Sequence, residues 1–321
     1  MGVSYQDQIY KVILLIPKPV AHTTRIRNIS GTGKTITQAV DNISVDMESS
    51  VDLLHLKVII FDKKYAQHGV TDSITGFMRA RDISPKAIVV ICDEDLDLFF
   101  PKVQKTMEPK GTPLYDSFEK NAGWNPQVAL TRVWQVYRSI HSFTHDVAIP
   151  IVKSGKSTVI EHIGSAMIKN GKMVDRISSD ETLLFNAFNG ESAQGKIEVL
   201  DHASVLIVNN TIKNRSKLTN NRPYLKSKIK LKVSLLETRG NPSNQVIKDE
   251  LVKLLTKRFN RMLTKVQTRE ADILGLGQFF RNKIRRDQLQ HWRTDYLPYL
   301  KMDFQMDIVI QNEGNLKMTK D

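Results

Sequence analysis

The stretch "KIKLKVSLLE", Lys228 to Glu237, alternates strictly between apolar and polar positions. Ile229, Leu231, Val233 and Leu235 fall on one face of a strand; Lys228, Lys230 and Lys232, extended upstream by Lys226, fall on the other. Successive strand residues point to opposite faces, so this is a sheet with one dry face and one basic, wet face. A long helical pattern follows, with Ile247, Leu251, Leu254, Arg258, Met262 and Val266 on one side. A shorter helix is expected over "DILGLGQFFRNKI" (272–284). The closing strand "KMDFQMDIVIQNEG" (301–314) alternates again, with Met302, Phe304, Met306, Ile308 and Ile310 on one face. Two helices on an antiparallel sheet make an α+β layer, assigned to a basic C-terminal domain over 206–321.

Working back towards the N-terminus, "IYKVILLIP" (9–17) reads as a buried strand ended by Pro17. "GKTITQAVDNISVDM" (33–47) has helical spacing, with Ile36, Ala39 or Val40, and Ile43 on one face. "HLKVIIFD" (55–62) and "KAIVVICDED" (86–95) are short buried strands, and "HGVTDSITGFMRARDIS" (68–84) is a helix between them. Residues 105–125, with Gly111, Pro113 and Gly123, show little periodicity and read mainly as loop. "PQVALTRVWQVYRSIHSF" (126–143) is a helix that can bury Val128, Leu130, Val133, Val136 and Ile140. This rhythm predicts a mixed sheet covered by helices, an α/β-type domain over 1–150. A middle unit over 151–205 opens on the hairpin "IGSAMIKNGKMVDRI" (163–177), where Asn170-Gly171 supplies a type I′ turn. Ser178 and Glu181 form a capping box for the helix "DETLLFNAF" (180–188), which Gly190 can close. The expected fold class is α+β, with three domains of mixed or antiparallel sheets packed with helices.

Composition bounds the chemistry. The longest apolar runs, Val12–Ile16 and Ala87–Cys92, are far short of the ~20 residues of a membrane helix. The single cysteine, Cys92, excludes an internal disulfide and a cysteine-built metal site. The net charge of +13 is unevenly spread: 23 basic and 23 acidic residues stand before residue 206, and 24 against 11 follow. Such asymmetry favours an acidic partner, whether anionic lipid, nucleic acid or protein; a solvated basic surface is the plainer account.

No catalytic constellation is apparent. Gly31-Thr32-Gly33-Lys34-Thr35 and Gly155-Lys156-Ser157 suggest phosphate loops, but the leading glycine is replaced by Asn28 in one and Pro150 in the other. Proline has no N–H to offer a phosphate. Gly31 and Gly33 are therefore read as a turn, with Thr35 capping the next helix. Asp93, Asp95 and Asp97 have the spacing of a calcium loop, yet Leu98 and Gln104 occupy its glycine and glutamate positions; they are read as acidic residues opening a helix. His141 and His145 are four apart without the glutamate or third ligand of a zinc site. Cys92 reads as a buried, inert thiol, and Trp124, Trp134 and Trp292 as core or interface residues. A nucleotide-binding enzyme is the lowest alternative.

The C-terminal third carries a resemblance. A long helix running into "QTREADILGLGQFFRNKI" (267–284), then Trp292, then the alternating strand closed by Gly314, resembles the C subunits of bacterial spore nutrient-germinant receptors, the Ger(x)C family. "GKTITQAVDNIS" (33–44), "LLHLKVIIFDKKYAQHGVTDSITGFMRARDIS" (53–84) and "IGSAMIKNGKMV" (163–174) are similar, in order, to that family's N-terminal helix, strand–helix element and hairpin. The resemblance covers nearly the whole chain. It implies a non-enzymatic lipoprotein of three α+β domains, with no cofactor or metal, that supports nutrient-triggered germination. It also implies a lipid-modified cysteine near the mature N-terminus, a place on the outer face of the spore inner membrane, and two integral membrane subunits as partners. No cysteine precedes Tyr5 and Cys92 lies deep in a strand, so the chain is expected to begin downstream of the anchor.

Within that frame, Lys226, Lys228, Lys230 and Lys232 are expected to face anionic lipid or an acidic loop of a partner subunit. Asp272, Gly275, Gly277 and Trp292 could form a subunit interface centred on "ADILGLG". Alternatively Asp272 caps a helix, the glycines permit close packing, and Trp292 plugs the core. A basic nucleic-acid-binding protein is the rival class. It is disfavoured because the basic residues are not interleaved with exposed aromatics; Phe279, Phe280, Phe304 and Tyr299 are placed in the core.

Overall fold

The computed structural model describes residues 1–20, 23–47, 51–80, 82–107, 114–118, 125–191 and 193–312. Gly111, Pro113 and Gly123 of the loop expected over 105–125, together with Trp124 and Gly314, lie outside them; within that range residues 105–107 are helical and Leu114–Ser117 form a 3-10 turn. The chain forms two compact units: Met1–Gly123 with Leu130–Ser142 and Asp146–Arg176, and Trp124–Ala129 with Phe143–His145 and Ile177–Asp321.

The first unit holds an eight-stranded mixed sheet. Its strands are β1 (Gly2–Gln6), β2 (Ile9–Val20), β3 (Thr23–Gly33), β4 (Val58–Asp62), β5 (Ile88–Cys92), β6 (Val147–Ser154), β7 (Ile160–Lys169) and β8 (Lys172–Ile177). Their order is β3-β2-β1-β4-β5-β6-β7-β8. The central four run parallel, and antiparallel pairs flank them. A parallel core covered on both faces needs apolar residues throughout, which is why every residue from Ile88 to Cys92 is buried. Helices α1 (Ile36–Val45), α2 (Lys63–His68), α3 (Thr71–Arg79), α4 (Leu96–Met107) and α5 (Val133–Ile140) complete the unit. Ala39 and Ile43 of α1, Ile74 and Phe77 of α3, and Val133 and Val136 of α5 share one core with Val3, Phe61 and Ile91 of the sheet.

Local signals hold where the chemistry is local. Thr35 caps α1, accepting from the Gln38 N–H at 3.1 Å, and Asp62 caps α2 through the N–H groups of Lys64 and Tyr65. Asn170 (φ 49°) and Gly171 (φ 75°) make the tight turn between β7 and β8. The glycines of "SGTGKT" do not make a turn. Gly31 and Gly33 are strand residues paired with Val12 and Tyr10, and they are glycine because α1 crosses so closely. A Cβ at Gly31 would lie 2.6 Å from the Ala39 carbonyl oxygen, and one at Gly33 2.7 Å from the Ala39 nitrogen. Helix α5 is also shorter than the apolar pattern suggests. The Thr131 carbonyl accepts from the Val89 N–H, and Arg132 bridges Ile88, so the residues before Val133 are drawn extended along β5.

The second unit contains α6 (Ser179–Phe188), β9 (Ile197–Val199), β10 (Ala203–Thr219), β11 (Arg222–Thr238), α7 (Asn244–Thr268), α8 (Arg286–Leu289) and β12 (Lys301–Asn312). The sheet order is β12-β11-β10-β9. Strands β10 and β11 form a long hairpin turning on Asn220 and Asn221, both at positive φ. The antiparallel sheet expected from the sequence is a mixed one, because β12 runs parallel to β11. A parallel neighbour needs a crossover, usually helical, and α7 is that element. Its buried stripe is Ile247, Leu251, Leu255, Phe259, Met262 and Val266, replacing the expected Leu254 and Arg258. Phe259 stacks on Phe304 of β12 at 3.8 Å.

Two buried acids tie α7 to the rest of its unit. The capping box is present, with Ser178 and Glu181 exchanging hydrogen bonds. Glu181 is fully buried and also accepts from Arg261 at 2.7 Å and Lys265 at 2.8 Å. Burial alone would raise its carboxyl, but Lys265, the Ser178 N–H and Arg261 outweigh this and hold it below the usual carboxylate range. Arg258 joins Glu198 at 2.9 Å and Asp180 at 3.1 Å. There burial prevails, and Glu198 is pushed up despite its arginine.

A basic sheet face as candidate interaction surface

The polar side of β11 is open to solvent: Lys226, Lys228 and Lys230 are exposed and Lys232 is half-buried, while Leu225, Ile229, Leu231 and Val233 are buried on the other side. The four expected site lysines therefore share one accessible face. Strand pairing fixes what surrounds them. On the β12 side Asp303 stands beside Lys226 and Asp307 beside Lys230. Asp303 lies 3.6 Å from the Lys226 Nζ and Asp307 3.8 Å from the Lys228 Nζ. Tyr224, on the same face, donates to Asp303 at 3.3 Å.

On the β10 side stand residues that the sequence reading left out. Lys213 is opposite Lys228, Arg215 opposite Lys226, and Lys217 opposite Tyr224; all three are exposed. The signal was present in "TIKNRSKLTNN" (211–221), where basic residues recur at every second position before an asparagine pair that favours a hairpin turn.

Asp272, Gly275, Gly277 and Trp292 come together, but inside the second unit. All four are buried. Asp272 accepts from the N–H groups of Leu276 at 2.7 Å and Gly277 at 2.8 Å, and from the Trp292 indole at 2.8 Å. Gly275 takes a left-handed conformation (φ 63°). A Cβ at Gly277 would meet Thr144 and the Trp292 ring at 2.7 Å. None of these side chains is open to a docking partner on the folded chain. The helix expected over 272–284 is instead a 3-10 turn, Leu276–Phe280, because Asp272 takes the N–H groups that would enter a helical ladder.

The chemistry tested on the sequence finds these positions. Gly31 and Gly33 have their backbones committed to a sheet. Gly155 and Lys156 sit in the turn between β6 and β7 with no helix following. Asp95 opens α4, accepting from the Asp97 N–H at 2.7 Å, and Asp93 pairs with Lys63 at 2.5 Å. Among the described residues, no three His, Cys, Asp or Glu are placed to hold a metal. Burial pushes the Cys92 thiol up to about 12. Trp134 is a surface residue under the Arg138 guanidinium at 5.1 Å. Tyr299, expected in the core, is 67% exposed just before β12.

Fold and site thus define a mixed α/β protein whose most distinctive feature is a charged surface. Comparison with known proteins gives the class a family. One family model, described as the spore germination protein N-terminal domain, matches residues 1–154, and a second, described as spore germination B3/GerAC like, C-terminal, matches 163–314. The chain belongs to this family of GerAC-like spore germination proteins, the germinant-receptor C subunits. Spore germination protein GerQC of Bacillus cereus is 21% identical over 298 residues, covering 89% of this chain and 82% of that protein. The crystal structure of the GerBC protein has the same fold, with a TM-score of 0.64 at 17% identity over 97% of this chain and 96% of that one.

Proposed function

We propose that the chain is a lipid-anchored, non-catalytic subunit of a nutrient-germinant receptor on the outer face of the spore inner membrane. There it assembles with two integral membrane subunits and supports nutrient-triggered germination. The observation that carries this reading is the pair of spore germination family models, which follow one another along residues 1–154 and 163–314. No helix among the described residues is long and apolar enough to cross a membrane. In this reading the membrane is reached through a lipid anchor and the partner subunits. The open basic sheet face is the surface through which the chain meets an acidic neighbour.

The test is affinity purification of the tagged full-length protein from spore membranes in mild detergent, with intact-mass analysis of its N-terminus. Two co-purifying integral membrane proteins and a diacylglyceryl-modified cysteine are expected. Recovery from the soluble fraction, unmodified and alone, would overturn the reading.

A further inference from the structure

The exposed face of the four-stranded sheet is charged in a way that a merely solvated face would avoid. Lys213 stands opposite Lys228 and Arg215 opposite Lys226, and like charges directly opposite destabilise a sheet. Asp303 and Asp307 answer only Lys226 and Lys228. Among the described residues, no ion pair reaches Lys213, Arg215, Lys217, Lys230 or Lys232.

A second feature shares this face. Glu198 of β9 points inward to Arg258, so its neighbours Ile197 and Val199 point outward, and they are 48% and 65% exposed. Leu206 of β10 pairs with Ile197 on the same side, and Leu236, at the bulge of β11, is 48% exposed. One open plane therefore presents Ile197, Val199 and Leu236, with the exposed Glu237 beside them, followed by cations over about 20 Å of strand, from Lys226 to Lys232.

We infer that this sheet face lies against an anionic lipid surface, its lysines and arginine over the lipid phosphates and Ile197, Val199 and Leu236 at the headgroup–acyl boundary. This deepens the membrane-subunit reading and rests on it for a membrane close at hand. A nucleic acid would match the cations but leave the aliphatic end without a counterpart. Among the described residues of its strands, this face carries one ring, Tyr224, rather than a row of stacking aromatics. An acidic peptide would cover one strand's width, whereas the cations spread over two. A bilayer offers phosphate and apolar boundary in one plane.

The experiment is co-sedimentation of the chain with vesicles of phosphatidylcholine alone or mixed with phosphatidylglycerol, over a range of salt. Binding is expected only to the mixed vesicles and should weaken as salt rises. The variant Lys213→Gln/Lys217→Gln/Lys230→Gln/Lys232→Gln should lower the partition coefficient by on the order of six-hundredfold, at roughly fivefold per cation. Val199→Ser should lower it several-fold and leave the salt dependence intact. Melting curves check that each variant remains folded. Equal binding to both vesicles, or full binding by the quadruple variant, would overturn the assignment. So would a DNA duplex held to higher salt than the vesicles. Absence of vesicle binding alongside intact co-purification with the membrane subunits would transfer the face to an acidic protein loop and leave the subunit reading standing.

Discussion

Lys213 of β10 and Lys228 of β11 face each other directly across the hairpin, a like-charged pair on an open sheet surface. Converting one member to the opposite sign should relieve the repulsion. Lys213→Glu is expected to raise unfolding stability by about 0.2–1 kcal/mol, read as a shift of the urea midpoint at low salt, while weakening binding to anionic vesicles. A variant that loses stability would show that the repulsion is already relieved within the chain.

Asp272 collects two backbone N–H groups and one indole N–H in a buried site. Removing the acceptor strands three buried donors. Asp272→Ala should cost about 3 kcal/mol or more, measured by chemical unfolding, and Asp272→Asn less. Gly277→Ala should cost about 1–3 kcal/mol, because its Cβ would lie 2.7 Å from the Trp292 ring. Unchanged stability in both would remove this knot from the account of the second unit.

Glu181 gives stability a pH dependence with a definite sign. Its carboxyl is held down in the folded state, against burial, by Lys265, the Ser178 N–H and Arg261. The contribution is complete above the unfolded value of about 4.3 and disappears as pH falls through the lower folded value. Glu198, raised by burial, acts in the opposite direction on acidification, so the effect is best read as a difference. Glu181→Gln should cost about 1–3 kcal/mol at neutral pH and nearly nothing in strong acid. A cost independent of pH would mean that the ion pairs with α7 contribute little.

Gly31 and Gly33 owe their presence to helix α1, not to a phosphate. Gly31→Ala should destabilise by about 1–3 kcal/mol, since the new methyl meets the Ala39 carbonyl and Ile43. Lys34→Ala and Lys156→Ala should leave the melting temperature unchanged, as should magnesium-ATP with the native chain. A nucleotide-dependent rise lost in either lysine variant would reinstate a phosphate site.

Much of this architecture is legible in short windows of sequence. Asn170-Gly171 specifies its turn through two positive-φ positions. Ser178 and Glu181 specify a helix start three residues apart. The alternation from Lys226 to Val233 specifies which side of β11 meets water. In each case the residues that decide are neighbours along the chain, so their conformational preferences act before any tertiary contact exists. The Tyr299 and Leu254 readings failed for the complementary reason. Periodicity shows that a face is apolar, but burial depends on what the rest of the fold lays over it.

The sequence by itself determined many of the helices and strands, several of their boundaries, and a basic strand face in a C-terminal region of high positive charge. Only the tertiary structure decided that β12 returns parallel to β11. It alone brought Lys213 and Arg215 beside Lys228 and Lys226, and Asp272 under the Trp292 indole. The reason is physical. Strand direction and cross-strand partners are fixed by how a 25-residue helix packs its apolar stripe on the sheet, and that balance is struck between residues far apart in the chain.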